Sequence, residues 1–112
     1  MKPAPPKRGE IRWVKLDPAT GSEIRKTRPA VVVSNDSLNR FAQRVVVVPL
    51  TSNVDKLFPG EVLVKVKGKP ARALCDQMRS IDNSRLGAKV AALSAAELSA
   101  LSDALRITLA LV

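Results

Sequence analysis

The sequence has no histidine and no tyrosine, and it contains a single cysteine, Cys75, among 112 residues. Without histidine or a second cysteine, zinc clusters of the Cys/His type and Ser-His-Asp triads cannot be built. One cysteine also excludes an intrachain disulfide, which favours a reducing compartment. Because no histidine can activate Cys75, we expect a small buried side chain rather than a nucleophile.

Long apolar runs are also missing, since none approaches the ~18 residues of a membrane-spanning helix. The first eight residues, "MKPAPPKR", lack the apolar core of a signal peptide. Walker A and dinucleotide fingerprints are absent, and the carboxylates are scattered. We therefore predict a cytoplasmic protein, and the sequence calls for no cofactor and no metal. A Mg²⁺ site is the alternative that scattered carboxylates leave open.

Positive charge is abundant. Nineteen lysines and arginines oppose ten acidic residues, which gives a formal net charge of +9. Residues 1–28 alone hold eight of the cations against three anions. A surface this basic favours a polyanionic partner: nucleic acid, an acidic protein or an anionic membrane.

Residues 1–8 are rich in proline and lysine and are predicted to form a flexible leader, with residues 9–112 as one domain. Five short segments of that domain are typical of β-strands: "EIRWVKL", "AVVVS", "RVVVVPLT", "EVLVKVKGK" and "RALCDQMRSI". In the first, the spacing of apolar residues leaves open a phase shift or coverage of both sheet faces. Between the second and third, "NDSLNRFAQ" can hold one helical turn.

The C-terminal segment "LSAAELSALSDALRITLALV" predicts a helix. Ser94 stands three residues before Glu97, which is a capping-box pattern. Four leucines at three- and four-residue spacing form one apolar stripe: Leu98, Leu101, Leu105 and Leu109. Short strands followed by one helix predict a mainly β (α+β) fold, a small twisted barrel with a C-terminal helix packed on it.

The predicted loop after the first strand, residues 17–28, concentrates charge. Its stretch "GSEIRKTRP" carries one carboxylate and three cations: Glu23, Arg25, Lys26 and Arg28. Loops of this length usually have a function or are disordered. A solvated, charged loop without a function would have the same composition.

One reaction suits a chain limited to these groups. RNA carries its own nucleophile, the 2′-hydroxyl, beside the phosphate that it attacks. Catalysis then requires a base, a cation on the crowded phosphorane and a proton source for the leaving oxygen. A guanidinium offers two parallel donors and stays charged, and fixed charge at a developing anion is often the largest catalytic contribution.

Aromatic side chains are scarce: Trp13, Phe41 and Phe58. Single-stranded RNA stacks on aromatic rings, but we expect Trp13 in the core and Phe58 at a loop or dimer surface. Three lysines near the fourth predicted strand either follow RNA phosphates or protect a sheet edge: Lys65, Lys67 and Lys69.

Five pieces of the sequence, in order, match a known pattern. They are "RGEIRWVKLDPATGSE" closed by "RP", "VVVSND" followed by "NR", "VVVVPLTSN", "ALCDQMRSID" followed by "RL", and the leucine-spaced C-terminal helix. Together they resemble the MazF/PemK family of type II toxin–antitoxin endoribonucleases. The resemblance implies an SH3-like barrel of the MazF/CcdB kind and a homodimer. It also implies metal-independent, sequence-specific cleavage of single-stranded RNA, and inhibition by an antitoxin with an acidic disordered tail.

The resemblance also implies a site. Arg28 of "RP" and Thr51 of "PLTS" are its catalytic pair, and Glu23 of "GSE" is the third candidate. Glu23 is either a general base or part of a loop-structuring salt bridge. Arg28 suits phosphate stabilisation better than proton donation, because a guanidinium stays protonated in proteins. The implied RNA-binding residues are Ser22, Arg25, Lys26, Ser52 and Gln77.

The chain departs from the family pattern in two ways. Ile24 stands where glutamine is frequent, and Arg25, Lys26 and Thr27 stand where smaller residues, often glycine, are common. Both departures lie in the loop implied to read RNA, so they bear on the recognised sequence more than on the reaction class.

Two other functions stay open on the sequence alone. A CcdB-like gyrase poison would use a tryptophan-bearing C-terminus, whereas this chain ends "ITLALV". A non-catalytic RNA-binding barrel would keep the basic surface but would have no need for Arg28 beside Thr51.

Overall fold

The computed structural model describes residues 4–18 and 20–111. Within them the chain forms seven strands and two α-helices. The strands are β1 Glu10–Lys15, β2 Thr27–Val32, β3 Arg44–Thr51, β4 Val62–Val66, β5 Lys69–Ala73, β6 Arg79–Asp82 and β7 Leu86–Ala92. The helices are α1 Asp36–Phe41 and α2 Ala95–Thr108, and two 3₁₀ turns, Cys75–Gln77 and Asn83–Arg85, flank β6.

The strands form a curled antiparallel sheet in the order β4-β5-β3-β2-β1-β7, with β6 also paired to β3. Each described strand pairing is antiparallel. The result is a mainly antiparallel half-barrel with a C-terminal helix, which confirms the fold predicted from the sequence.

Both faces of the central strands are buried. One core contains Ile11 and Val31 together with Leu101 of α2, and the other contains Val14 and Val32. Because successive side chains of a strand point to opposite faces, the unbroken valine runs of β2 and β3 fill both cores. In β1, coverage of both faces therefore accounts for the spacing of Ile11 and Val14.

The loop after β1 is shorter than predicted. β2 begins at Thr27 rather than at Ala30, and Arg28 pairs with Val14 of β1. The expectation that Arg28 belongs to the loop is therefore wrong, because the ladder with β1 continues past Pro29. Arg28 is anchored in the sheet.

The segment between β4 and α2 holds more strands than expected. "RALCDQMRSI" is divided between β5 and β6 by the 3₁₀ turn Cys75–Gln77. β7 was not predicted. Among the described strands it pairs with β1 alone, and its side chains are half-buried or exposed without a clear alternation. Its register with β1 is also irregular.

The capping box of α2 is present as predicted. Ser94 Oγ accepts the Glu97 N–H at 3.1 Å, and Glu97 Oε1 accepts the Ser94 N–H at 2.9 Å. Glu97 Oε2 also accepts the Lys65 N–H at 2.7 Å, so the cap ties the helix to β4.

The predicted leucine stripe of α2 is only partly buried. Leu101 is buried, whereas Leu109 is exposed beyond the helix end. In the part of the chain that the structure describes, neither α-helix has the length and apolarity to cross a bilayer.

The end of the predicted leader is hydrogen-bonded to the domain. The Arg8 N–H donates to Asp36 Oδ1 at 2.7 Å, and its guanidinium donates to Val33 O at 3.0 Å and to Ser102 Oγ at 2.8 Å. Residues 1–3 of the leader lie outside the described residues. The division into leader and domain stays a prediction.

Candidate functional site

Arg28 lies where β2 emerges from the β1–β2 loop. Its Nε donates to the Arg25 carbonyl at 3.2 Å, which closes the last turn of the loop onto the strand. Within residues 4–18 and 20–111, no hydrogen bond engages Nη1 or Nη2 of Arg28. These two amino groups are left for a ligand.

Thr51 ends β3. The β2–β3 register pairs Ala30 with Pro49 and Val31 with Val48. An extension of this register by two residues toward the loop would set Arg28 opposite Thr51. Thr51 Oγ1 accepts the Asn53 N–H at 3.2 Å. This bond uses the oxygen as an acceptor, so the hydroxyl proton stays free to be donated.

A cavity of about 300 Å³ brings three of the predicted site residues together. Arg28, Thr51 and Ser52 line it, and Lys69 and Trp13 complete its charged and aromatic wall. The predicted catalytic pair therefore shares one cavity with a predicted RNA-binding residue. A larger cavity of about 600 Å³ lies around the start of β3, but its lining contains none of the predicted site residues.

Trp13 is the functional candidate that sequence reasoning placed wrongly. It was expected in the core, yet it is 45% exposed and lines the cavity with Arg28. Trp13 points to the same face as Ile11 but pairs with Pro29 near the open end of the sheet. Its neighbourhood depends on the β1–β2 register, which apolar spacing alone does not fix.

A second cavity, of about 270 Å³, holds three of the other predicted residues. Ser22 and Glu23 of the loop line it with Gln77 of the 3₁₀ turn. Gln77 Oε1 accepts the Ile24 N–H at 2.7 Å. Gln77 therefore fastens the β1–β2 loop to the sheet, a contact that the sequence did not predict.

Glu23 has a defined partner in the loop. Its Oε1 accepts the Thr20 N–H at 2.6 Å, and among the described residues it forms no ion pair. The carboxylate structures the loop through a backbone hydrogen bond, and the salt bridge that was one of the two alternatives for Glu23 is not formed among the described residues. It lines the second cavity and not the one that holds Arg28 and Thr51.

Arg25 and Lys26 line neither of these two cavities. Arg25 Nη2 donates to the Gly21 carbonyl at 3.3 Å, and the Lys26 carbonyl accepts the Leu16 N–H at 3.0 Å. Lys26 has a φ of 70°, in the left-handed region that glycine adopts without strain. A backbone requirement therefore explains why glycine suits this part of the loop.

Comparison with known proteins identifies the family. Residues 7–109 match the family described as "PemK-like, MazF-like toxin of type II toxin-antitoxin system". The chain belongs to this family. It is 45% identical over 112 aligned residues to the endoribonuclease MazF9 of Mycobacterium tuberculosis, with 92% of this chain and 95% of the relative covered.

Solved structures agree with the sequence match. MazF from Deinococcus radiodurans has a TM-score of 0.85 at 28% identity, covering 96% of this chain and 99% of that one. A MazE–MazF crystal structure from the same organism has a TM-score of 0.79 at 26% identity, covering 98% and 100%. The protein is therefore a MazF-family endoribonuclease toxin of a type II toxin–antitoxin system. The gyrase poison and the non-catalytic RNA-binding barrel are set aside.

The remaining chemistry of this MazF-family chain is sparse. In the segments that the structure covers, no group of three His, Cys, Asp or Glu side chains is placed to hold a metal ion. Cys75 is buried and free. Burial, aided by the charge of Asp76, raises the pKa of Cys75 to about 11. The thiol is therefore protonated at neutral pH, as expected for a small core residue.

Proposed function

We propose that this toxin cleaves single-stranded RNA, mRNA included, at specific sequences and without a metal ion, and that it inhibits translation and growth in this way. The observation that carries the proposal is the shared cavity of Arg28, Thr51 and Lys69. A guanidinium anchored in a strand, a lysine and a hydroxyl donor in one cavity suit a phosphate that gains charge during reaction.

The proposed reaction is attack by the RNA 2′-oxygen on the adjacent phosphorus. The new P–O2′ bond forms as the P–O5′ bond breaks, the 2′-hydroxyl proton goes to a base, and the 5′-oxygen receives a proton. The products are a 2′,3′-cyclic phosphate and a 5′-hydroxyl. Atoms and charge balance without a metal or an enzyme-bound intermediate.

Arg28 is the phosphate stabiliser in this proposal. Its Nη1 and Nη2 donate to two phosphoryl oxygens, while Nε stays bonded to the Arg25 carbonyl and fixes the plane of the guanidinium. Anchoring in β2 limits its freedom before RNA arrives, which is the preorganisation that electrostatic catalysis requires.

Thr51 donates its hydroxyl proton to another phosphate oxygen. The Asn53 N–H occupies the acceptor side of Oγ1, which biases the hydroxyl to act as a donor. Trp13 is exposed and lines the same cavity, where it offers a flat surface on which a neighbouring base stacks.

Glu23 has two possible roles, and its bond to Thr20 supports the loop-structuring one. Glu23→Gln separates these roles, since glutamine keeps an acceptor for the Thr20 N–H but does not act as a general base.

The other predicted residues bind RNA in this proposal. Ser22 and Gln77 contact RNA bases from the second cavity, and Ser52 contacts RNA from the first. Arg25 and Lys26 attract the backbone by charge.

The proposed assembly is a cytoplasmic homodimer that an antitoxin inhibits. Support for inhibition comes from the MazE–MazF structure of Deinococcus radiodurans and from the net charge of +9, which suits an acidic, disordered antitoxin tail. Support for the dimer comes from large apolar side chains at the surface, such as Phe41 and Ile107.

The experiment that tests the reaction uses synthetic single-stranded RNA in EDTA. We expect cleavage that leaves a 2′,3′-cyclic phosphate and a 5′-hydroxyl, identified by mass spectrometry. A matched RNA with a 2′-deoxy sugar at the cut position should survive, because the nucleophile is missing. Cleavage of the deoxy RNA at the normal rate would refute internal attack.

A further inference from the structure

Arg72 of β5 lies beside Thr51. The β3–β5 register pairs Thr51 directly with Arg72, and directly paired residues of neighbouring strands share a face of the sheet. Since β3 lies between β2 and β5, Arg72 flanks Thr51 on the side away from Arg28. The three residues lie on three adjacent strands, β2, β3 and β5.

The Arg72 side chain is 14% exposed and contacts the β3–β4 loop, residues 52–61. Nη1 donates to the Lys56 carbonyl. Nε lies 3.5 Å from Oε1 of Glu61, whose side chain is 9% exposed. The guanidinium carbon lies 5.8 Å from the centroid of the Phe58 ring, within cation–π range. One guanidinium thus holds the loop at three points.

The loop in turn holds Thr51. The Asn53 N–H donates to Thr51 Oγ1 at 3.2 Å, and Asn53 Oδ1 accepts the Asp55 N–H at 3.2 Å. The path of the loop backbone therefore sets which side of the Thr51 oxygen is occupied. A loop released from Arg72 would no longer fix that hydrogen bond.

Stability alone does not account for Arg72. Its Nε is buried and has no hydrogen-bond partner among the described residues. Replacing a buried ion pair by apolar residues is often neutral or stabilising, and an unpaired buried N–H is unfavourable. A positively charged, incompletely satisfied side chain next to Thr51 is more easily explained by the geometry it imposes on the loop.

We propose that Arg72 is a positioning residue of the ribonuclease site: it holds the β3–β4 loop, whose Asn53 N–H orients the Thr51 hydroxyl toward the phosphate. The inference rests on the proposed function, in which Thr51 donates to the phosphate. Arg72 itself is occupied by the loop and does not contact RNA.

The test is a double-mutant cycle on RNA cleavage, with wild type, Thr51→Ala, Arg72→Met and the double variant. Arg72→Met should lower kcat roughly two- to tenfold, the range expected for one neutral hydrogen bond, with KM nearly unchanged. In the Thr51→Ala background, Arg72→Met should cause no further loss of kcat, because the hydroxyl that the loop orients is already absent. Arg72→Lys keeps the charge without the two-pronged donor and should give an intermediate kcat.

The matched control is Arg44→Met at the opposite end of β3. Arg44 also uses two guanidinium nitrogens, donating to Ser80 Oγ at 2.9 Å and to Ser80 O at 3.0 Å, but it is remote from Thr51. The kcat of Arg44→Met should equal that of wild type. Equal losses from Arg72→Met in both backgrounds would overturn the positioning role while leaving the proposed function intact. A fully active Thr51→Ala would overturn the role of Thr51 and the Arg72 inference with it.

A second measurement does not depend on cleavage. Amide hydrogen exchange at Asn53, followed by NMR, should accelerate in Arg72→Met. If Arg72→Met does not fold, Glu61→Gln serves instead. It keeps an acceptor for the Phe58 N–H, which now donates to Glu61 Oε1 at 2.9 Å, and removes the charge that faces Arg72. Unchanged exchange at Asn53 in the folded variant would contradict the inference.

Discussion

The position of Arg28 at the start of β2 changes how its charge can be used. An arginine in a free loop would have to be ordered when RNA binds, and this costs side-chain and backbone entropy. Here the backbone is held by β1, and Nε is held by the Arg25 carbonyl. In the proposed reaction, the terminal amino groups therefore meet the phosphate with little reorganisation.

Arg28→Ala should lower kcat by roughly 10²–10³-fold, the scale found when a main oxyanion donor is removed. Arg28→Lys should restore little, because a point charge cannot replace a two-pronged donor. Thr51→Ala should lose less, since one neutral hydrogen bond contributes ~0.5–1.5 kcal/mol. Single-turnover cleavage measures all three, with circular dichroism to confirm folding. A folded, fully active Arg28→Ala would remove the proposed site.

Arg28 and Thr51 were singled out because each sits in a short motif, "RP" and "PLTS", and the structure places both at one cavity. Their catalytic roles stay a prediction. Trp13 was misplaced, and Arg72 was not singled out. The surroundings of each are set by partners on other strands, and a single sequence does not give those partners.

At the scale of elements, whether a strand or helix could be predicted depends on how distinctive the residue pattern of its segment is. β3 was predicted with its observed bounds, because a dense β-branched run between turn residues has few alternatives. The cap of α2 was predicted from Ser94 and Glu97. β7 was missed, since an irregular, half-exposed strand is held by its pairing with β1 rather than by its own composition.

The cap of α2 carries a pH dependence. The hydrogen bond from the Ser94 backbone, with that from Lys65, holds the pKa of Glu97 below its ordinary value of 4.5. A lowered folded-state pKa stabilises the protein above the unfolded value, and this contribution is lost as the pH falls through the folded-state value. Glu97→Gln should therefore show a smaller loss of unfolding free energy between pH 6 and pH 3 than wild type.

Urea unfolding at several pH values measures this difference. Hydrogen bonds from Ser84 also lower the pKa of Asp82, so both proteins should lose stability in acid. Because Asp82 is common to both, the difference between the two curves isolates Glu97. Parallel curves would mean that the Glu97 carboxylate adds nothing to the cap beyond its hydrogen-bond geometry.

At the scale of the whole molecule, charge and exposed apolar surface point to partners. Large apolar side chains remain exposed on both helices and on the β3–β4 loop: Leu38, Phe41, Leu57, Phe58 and Ile107. The proposed homodimer would cover part of this surface and bring two basic faces together, with a formal charge of +18, twice the +9 of one chain.

Light scattering tests the dimer. At micromolar concentration it should give a mass twice the 12.1 kDa of one chain. A monomer would rule out a groove between subunits.

Such a dimer should bind the acidic antitoxin tail and RNA in competition. Both ligands are polyanions, and both need the cations of the β1–β2 loop and of the Arg28–Thr51 cavity. Saturating tail peptide should therefore displace a fluorescent RNA that a 2′-deoxy sugar protects from cleavage, as followed by anisotropy.

The association rate of the peptide should fall strongly as salt rises to ~0.15 M, where the Debye length is ~8 Å, because electrostatic steering acts through exposed charge. A scrambled peptide of equal charge is the control for non-specific attraction. If peptide and RNA bind one dimer face together, the inhibitor acts elsewhere, and the cations of the loop serve the substrate alone.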